Sequence, residues 1–153
     1  MAFVVEAERV IRAPRERVFE VATSNETLIR CFQGIKPLIP GIVEATIEGG
    51  GPAKTGSLRP VKLSDGTKIK ERILLLEAPS LHRYDMFEMN LLQRLICTSM
   101  ISEWRFLEEG SNTRIVWRYE ILPRNVLVEP LTWLVSQAFQ RAMQRCLDNL
   151  TVE

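Results

Sequence analysis

The chain has 153 residues, 46% of them apolar and 25% charged, which is enough for one globular domain with a core and a wetted surface. A formal net charge of +1, with the basic residues scattered, excludes the electrostatic footprint of a nucleic-acid binder or of a protein held on an anionic membrane. No stretch approaches the roughly 18 apolar residues of a membrane span. The opening Met1-Ala2-Phe3-Val4-Val5-Glu6 has neither the basic nor the apolar region of a signal peptide. Cys31, Cys97 and Cys146 are widely spaced, form no CxxC pair and accompany a single histidine. That usage predicts reduced thiols in the cytoplasm and no disulfide framework, metal site or cofactor.

Residues 3–12 mix Phe, Val and Ile with Glu and Arg, the pattern of a half-exposed strand. Ala13-Pro14 breaks it, and Pro14 suits the first turn of a short helix whose apolar side carries Val18, Phe19, Val21 and Ala22. Thr23-Ser24-Asn25 reads as a capped turn, and a second short helix from Glu26 carries Leu28, Ile29 and Phe32 until Pro37 and Pro40 end it. A strand over Ile42–Glu48 closes on Gly49-Gly50-Gly51-Pro52. Strands follow at Gly56–Leu63, Lys68–Glu77 and Leu81–Met89, the first two joined by Ser64-Asp65-Gly66, a hairpin signal.

Another strand runs from about Thr98 to Leu107, and the last has the clearest alternation. Thr113, Ile115, Trp117, Tyr119 and Ile121 share one of its faces, while Arg114, Arg118 and Glu120 share the other. The period then changes to three and four through Leu131, Leu134, Val135, Ala138, Phe139, Ala142, Met143, Cys146, Leu147 and Leu150. Gln137, Gln140, Arg141, Gln144, Arg145 and Asp148 fill most of the opposite side, and Trp133 lies off the stripe, where it suits a dimer or loop contact. About twenty residues make a helix of roughly 30 Å, long enough to cross a sheet. The order is strand, two short helices, six strands and one long helix. This predicts a single α+β domain over 1–153, with a seven-stranded curved antiparallel sheet wrapped around the last helix.

This order resembles the START-like helix-grip superfamily. The specific motifs are Ala-Pro-x-x-x-Val-Phe at 13–19, Gly-Ser-x-Arg at 56–59, Glu71-Arg72 and the terminal amphipathic helix. Within it the chain looks most like the polyketide cyclase/dehydrase-like branch, and residues 56–77 also resemble plant abscisic-acid receptors and pathogenesis-related proteins. The resemblance implies an apolar cavity between the concave sheet and the long helix, holding a sterol, lipid, hormone or polyketide. It also implies that Glu71, matching a glutamate of the receptors, faces that cavity. The loop 63–67 stands where those receptors have a gate loop of the Ser-Gly-Leu-Pro-Ala type. Here it reads Leu-Ser-Asp-Gly-Thr, which without the proline is a plain hairpin turn.

Alternation independently puts Glu71 on the face of Ile69, Ile73 and Leu75, and a charge there is costly unless it is paired or used. Arg59 on the neighbouring strand is the expected partner. The two either neutralise each other or anchor a ligand, with Ile73, Trp104, Trp117, Tyr119, Phe139 and Met143 shaping the wall. The partner so predicted is a small, largely hydrophobic molecule (lipid, polyketide or isoprenoid-like), bound by a monomer or weak homodimer. One alternative is a cyclase or dehydratase with Glu71 as general acid or base, assisted by Tyr84, Asp85 or Tyr119. Another is an interaction module with a filled core that presents the leucines of 89–96. That segment, Met89-Asn90-Leu91-Leu92-Gln93-Arg94-Leu95-Ile96, reads as a lid or as a longer hairpin with buried leucines, the hairpin being favoured. His82, alone in a strand beside a turn, reads as a surface residue. No catalytic triad, metal cluster or phosphate loop is present, and Gly49-Gly50-Gly51 precedes no helix.

Overall fold

Alternating apolar residues form a strand at each expected place, and the intervening turn residues fold those strands back on one another. The computed structural model describes residues 1–152. In chain order the elements are β1 (Phe3–Ile11), α1 (Arg15–Ala22), α2 (Asn25–Cys31), β2 (Ile42–Ala45), β3 (Leu58–Leu63), β4 (Lys68–Glu77), β5 (Leu81–Glu88), α3 (Leu91–Ile96), β6 (Cys97–Glu109), β7 (Asn112–Pro123) and α4 (Glu129–Asp148). The strands make one seven-stranded antiparallel sheet in the order β1-β7-β6-β5-β4-β3-β2. Two register irregularities between β4 and β5, at Lys70/Glu71 and at Ile73/Leu75, add the twist that curls it.

The concave face is the apolar one. Thr113, Ile115, Trp117, Tyr119 and Ile121 of β7 are all buried, as their alternation predicts, and so are Ile69, Glu71 and Ile73 of β4. Trp104 and Trp117 stand opposite each other in the β6–β7 register and stack with centroids 4.2 Å apart. The Trp117 indole N–H donates to Ser102 Oγ at 2.9 Å, so the ring's one polar atom is satisfied inside the core. The convex face carries exposed ion pairs such as Arg114–Glu8, which contribute little each.

Helix α4 buries Ala138, Ala142, Met143, Cys146 and Leu147 beneath the sheet. Two of its three glutamines do more than face water. Gln140 and Gln144 donate at 2.9 Å to the carbonyls of Glu6 and Glu8 and so cover part of the free edge of β1. Arg9 Nη1 donates to the carbonyls of Leu147 and Leu150, where a cation suits a helix C-terminus.

Three local expectations are corrected. Leu131 and Leu134 are exposed, not part of the buried stripe. Thr132 and Ser136 face inward in their place, because Thr132 Oγ1 supplies the Ile96 carbonyl with a donor at 2.7 Å. Residues 91–96 are a short helix, not a hairpin with buried leucines. Asn90 and Gln93 close a capping box there, and Leu91, Leu92 and Leu95 remain more than half exposed. Strands β2 and β3 are shorter than expected, since Gly49, Gly50, Gly51 and Gly56 adopt positive φ and form a loop between them.

Candidate functional site

The curl of the sheet leaves space between its concave face and the N-terminal half of α4. This cavity, of about 190 Å³, is walled by Ile69, Tyr84, Met86, Met100, Trp117, Tyr119 and Ile121 from the strands and by Val135 and Phe139 from the helix. Leu28 and Phe32 close it from the side of α2, and the loop Pro37–Pro40 adds Leu38 and Ile39. That loop is tight. Ile35 and Ile39 exchange both backbone hydrogen bonds, and a side chain on Gly34 would collide with the Ile39 carbonyl at 2.1 Å.

Leu92 and Gln93 of α3 lie at the cavity with Asp65 and Asn90. The β3–β4 connection is a plain turn, in which Asp65 accepts from the Thr67 N–H and hydroxyl, and Gly66 takes φ +88°. Asn90 Nδ2 donates to Thr67 Oγ1 at 3.1 Å, which ties the cap of α3 to the tip of that hairpin. The turn and the short helix are thereby joined at the cavity.

Polar groups gather on the sheet side. Arg59 and Glu71 are directly paired in register, and Arg59 Nε donates to Glu71 Oε1 at 2.8 Å with both residues buried. The guanidinium also stands over the Tyr84 ring, 5.3 Å from its centroid, where a cation is favourable. Burial works against the Arg59 charge, but Glu71 and Tyr84 outweigh it and its pKa lies above the ordinary value. Burial pushes the Tyr84 phenol up to about 12, with Glu71 adding to the effect, and Tyr119 is raised well above its usual value for the same leading reason. Both phenols keep their protons at neutral pH and can donate.

Of the residues expected at the site, Glu71, Trp117, Tyr119 and Phe139 line this cavity. Arg59 and Ile73 line a second one on the far side of the ion pair. Trp104 and Met143 are buried in the core and line neither. Asp85 lies on the convex face, bonded through both oxygens to Arg72.

His82 corrects the sequence reading. It is 3% exposed, packs against Tyr84 at 5.0 Å, and is pushed down to about 3 by burial and by the nearby Arg59 charge. Its alternation with Tyr84 was the signal that both face inward. Cys97, at the cavity wall, is pushed up to about 11 by burial, so its thiol is protonated and inert at neutral pH. All three cysteines are free and buried, and no cluster of three or more potential metal ligands occurs among the described residues. No helix among them is long and apolar enough to cross a membrane.

A curled seven-stranded sheet gripping a C-terminal helix around an apolar hollow defines a START-like helix-grip protein. The chain belongs to the family described as polyketide cyclase/dehydrase and lipid transport, which matches residues 2–153. The sequence matches no curated protein. Among solved structures, TTHA0849 from Thermus thermophilus superposes with a TM-score of 0.71 at 20% identity, over 96% of this chain and 93% of that one. Ginseng major latex-like protein 151 from Panax ginseng gives 0.64 at 16% identity over 99% of both chains. Norcoclaurine synthase from Thalictrum flavum gives 0.60 at 17% identity, covering 96% of this chain and 87% of its own. At these identities the likeness is one of fold.

Proposed function

We propose that this protein binds a small, largely apolar molecule with one polar end between the sheet and α4, as a carrier or sensor. The observation that carries the reading is the make-up of the cavity. Its wall is apolar and aromatic, with the Glu71 carboxylate and the Tyr84 and Tyr119 phenols among it. Glu71 would accept a hydrogen bond from the ligand's polar end, and the phenols would donate to it. A volume of about 190 Å³ lies below the roughly 300–1,000 Å³ of drug-sized sites, so the fitting ligand is a single ring or a short chain. The hollow also counts against an interaction module with a filled core.

The same carboxylate beside two phenols supports a second reading, a cyclase or dehydratase with Glu71 as the acid or base. Glu71→Gln separates the two, since it would abolish product while sparing binding in an enzyme, and weaken binding in a carrier. The primary test is native mass spectrometry of protein purified from its own host, followed by extraction. A stoichiometric apolar adduct is expected. A clean protein mass, together with no thermal stabilisation by single-ring or short-chain alcohols, acids and ketones, would sink the proposal.

A further inference from the structure

Apolar side chains that the core leaves out collect at one end of the grip. Leu91, Leu92 and Leu95 form one ridge on α3, spaced three and four apart and each more than half exposed. The single turn Val126–Val128 adds Val126 and Leu127, and Leu127, 90% exposed, stands clear of the surface. Leu131 and Leu134 of α4 follow it at spacings of four and three. The Ile96 carbonyl pins these elements together, accepting from the Arg124 N–H at 3.0 Å and from Thr132 Oγ1 at 2.7 Å. An apolar cluster drawn from three adjoining elements marks an interaction surface, where single exposed leucines would not.

The main cavity opens beside this surface. Leu38 and Leu92 line it and are exposed as well, so it reaches solvent between the Pro37–Pro40 loop and α3. The same end carries charge of one sign. Lys36, Arg94 and Arg124 are exposed and in no ion pair among the described residues. Of the carboxylates in the adjoining turns, Glu88 reaches Lys70 at 3.9 Å and Glu129 reaches the N-terminal ammonium at 4.0 Å, which leaves only Asp65 without a cation. A second copy of the chain is a poor occupant, because a twofold contact sets a surface against itself and would bring these cations together. An anionic lipid surface suits both features, with apolar tips in the acyl boundary and cations among the headgroups. A net charge of +1 means that charge alone does not hold the protein there. Folding gathers at one end what the sequence scatters.

We propose that the α3 end of this protein docks on an anionic lipid bilayer, Leu91, Leu92 and Leu127 entering it and Lys36, Arg94 and Arg124 meeting its headgroups. Docking sets the cavity mouth against the bilayer. There, if the ligand reading above holds, the apolar ligand enters or leaves.

The test is co-sedimentation of the full chain with vesicles of equimolar phosphatidylcholine and phosphatidylglycerol, and with vesicles of phosphatidylcholine alone. Binding is expected on the mixed vesicles, weakened by salt and far weaker on phosphatidylcholine alone. Leu127→Ser should weaken it at least tenfold, since the side chain loses its apolar burial. Lys36→Gln with Arg94→Gln should weaken it about 30-fold, roughly fivefold for each charge. These variants alter exposed side chains that make no hydrogen bond among the described residues, so the fold is kept. The proposal is overturned if nothing sediments with the mixed vesicles, if phosphatidylcholine alone binds as well, or if neither variant weakens binding. Self-association in the analytical ultracentrifuge that Leu127→Ser abolishes would overturn it in favour of a second copy. The assay uses no cavity ligand, so its failure leaves the ligand reading standing, and a clean native mass leaves docking standing.

Discussion

Acidification from pH 7 to pH 5 will cost this fold about 2 kcal/mol through His82 alone. An unfolded histidine titrates near 6.5, whereas burial and the Arg59 charge push the folded one down to about 3. Between those values the unfolded chain holds about one proton more than the folded one. Stability is therefore complete above 6.5 and is lost as the pH falls toward 3, at about 1.4 kcal/mol per pH unit. The window from pH 7 to pH 5 lies above ordinary carboxylate titration, and no second histidine shares it. The assay is urea unfolding followed by tryptophan fluorescence at pH 7, 6 and 5. It is run on the parent and on His82→Gln, whose amide is polar and of similar size but cannot take a proton. The parent should lose about 2 kcal/mol of a total that for such domains is about 5–15, and the variant should be flat. A parent that loses less than about 0.5 kcal/mol, or a variant that keeps the slope, would refute the burial of a neutral imidazole.

Breaking the buried pair with Glu71→Leu strands the Arg59 charge and should cost about 3–5 kcal/mol, while Arg59→Met with Glu71→Leu should recover more than half of it. Equal losses in denaturant titrations of the single and double variants would contradict the pairing. Ser102→Ala leaves the Trp117 N–H unmet and should cost about 1–3 kcal/mol in the same titration, and a neutral result would mean that the indole finds another acceptor. Val135→Trp should fill the main cavity for about 1–3 kcal/mol of stability and abolish uptake of the ligand recovered from the host. Retained uptake in a binding titration would place the ligand elsewhere. With Cys31, Cys97 and Cys146 all buried and all raised above the ordinary thiol range, chiefly by burial, a thiol reagent should label them only as fast as the fold opens. Immediate labelling of any one in folded protein would show that it is accessible.

The sequence by itself determined the elements, their order and most of their inward faces, because strand and helix periodicity are local properties of the chain. The alternation of β7 from Thr113 to Ile121 and the inward pair Arg59–Glu71 were legible for this reason. So was the hairpin at Asp65-Gly66, where a turn needs a residue free to take positive φ. Periodicity does not say what covers a face. Leu131 and Leu134 have the helical spacing of core residues yet lie exposed, because the Ile96 carbonyl draws Thr132 inward. The leucines of α3 stay in water because the capping box of Asn90 and Gln93 turns the segment into a helix too short to bury both sides. The main cavity draws on α2, the Pro37–Pro40 loop and strands far apart in the chain, so only tertiary packing could assemble it. Tertiary packing also divided the charged pair, turning Glu71 toward one hollow and Arg59, with His82, toward another. A buried ion pair is predictable from two facing strands, but the space on either side of it depends on how the whole sheet curls.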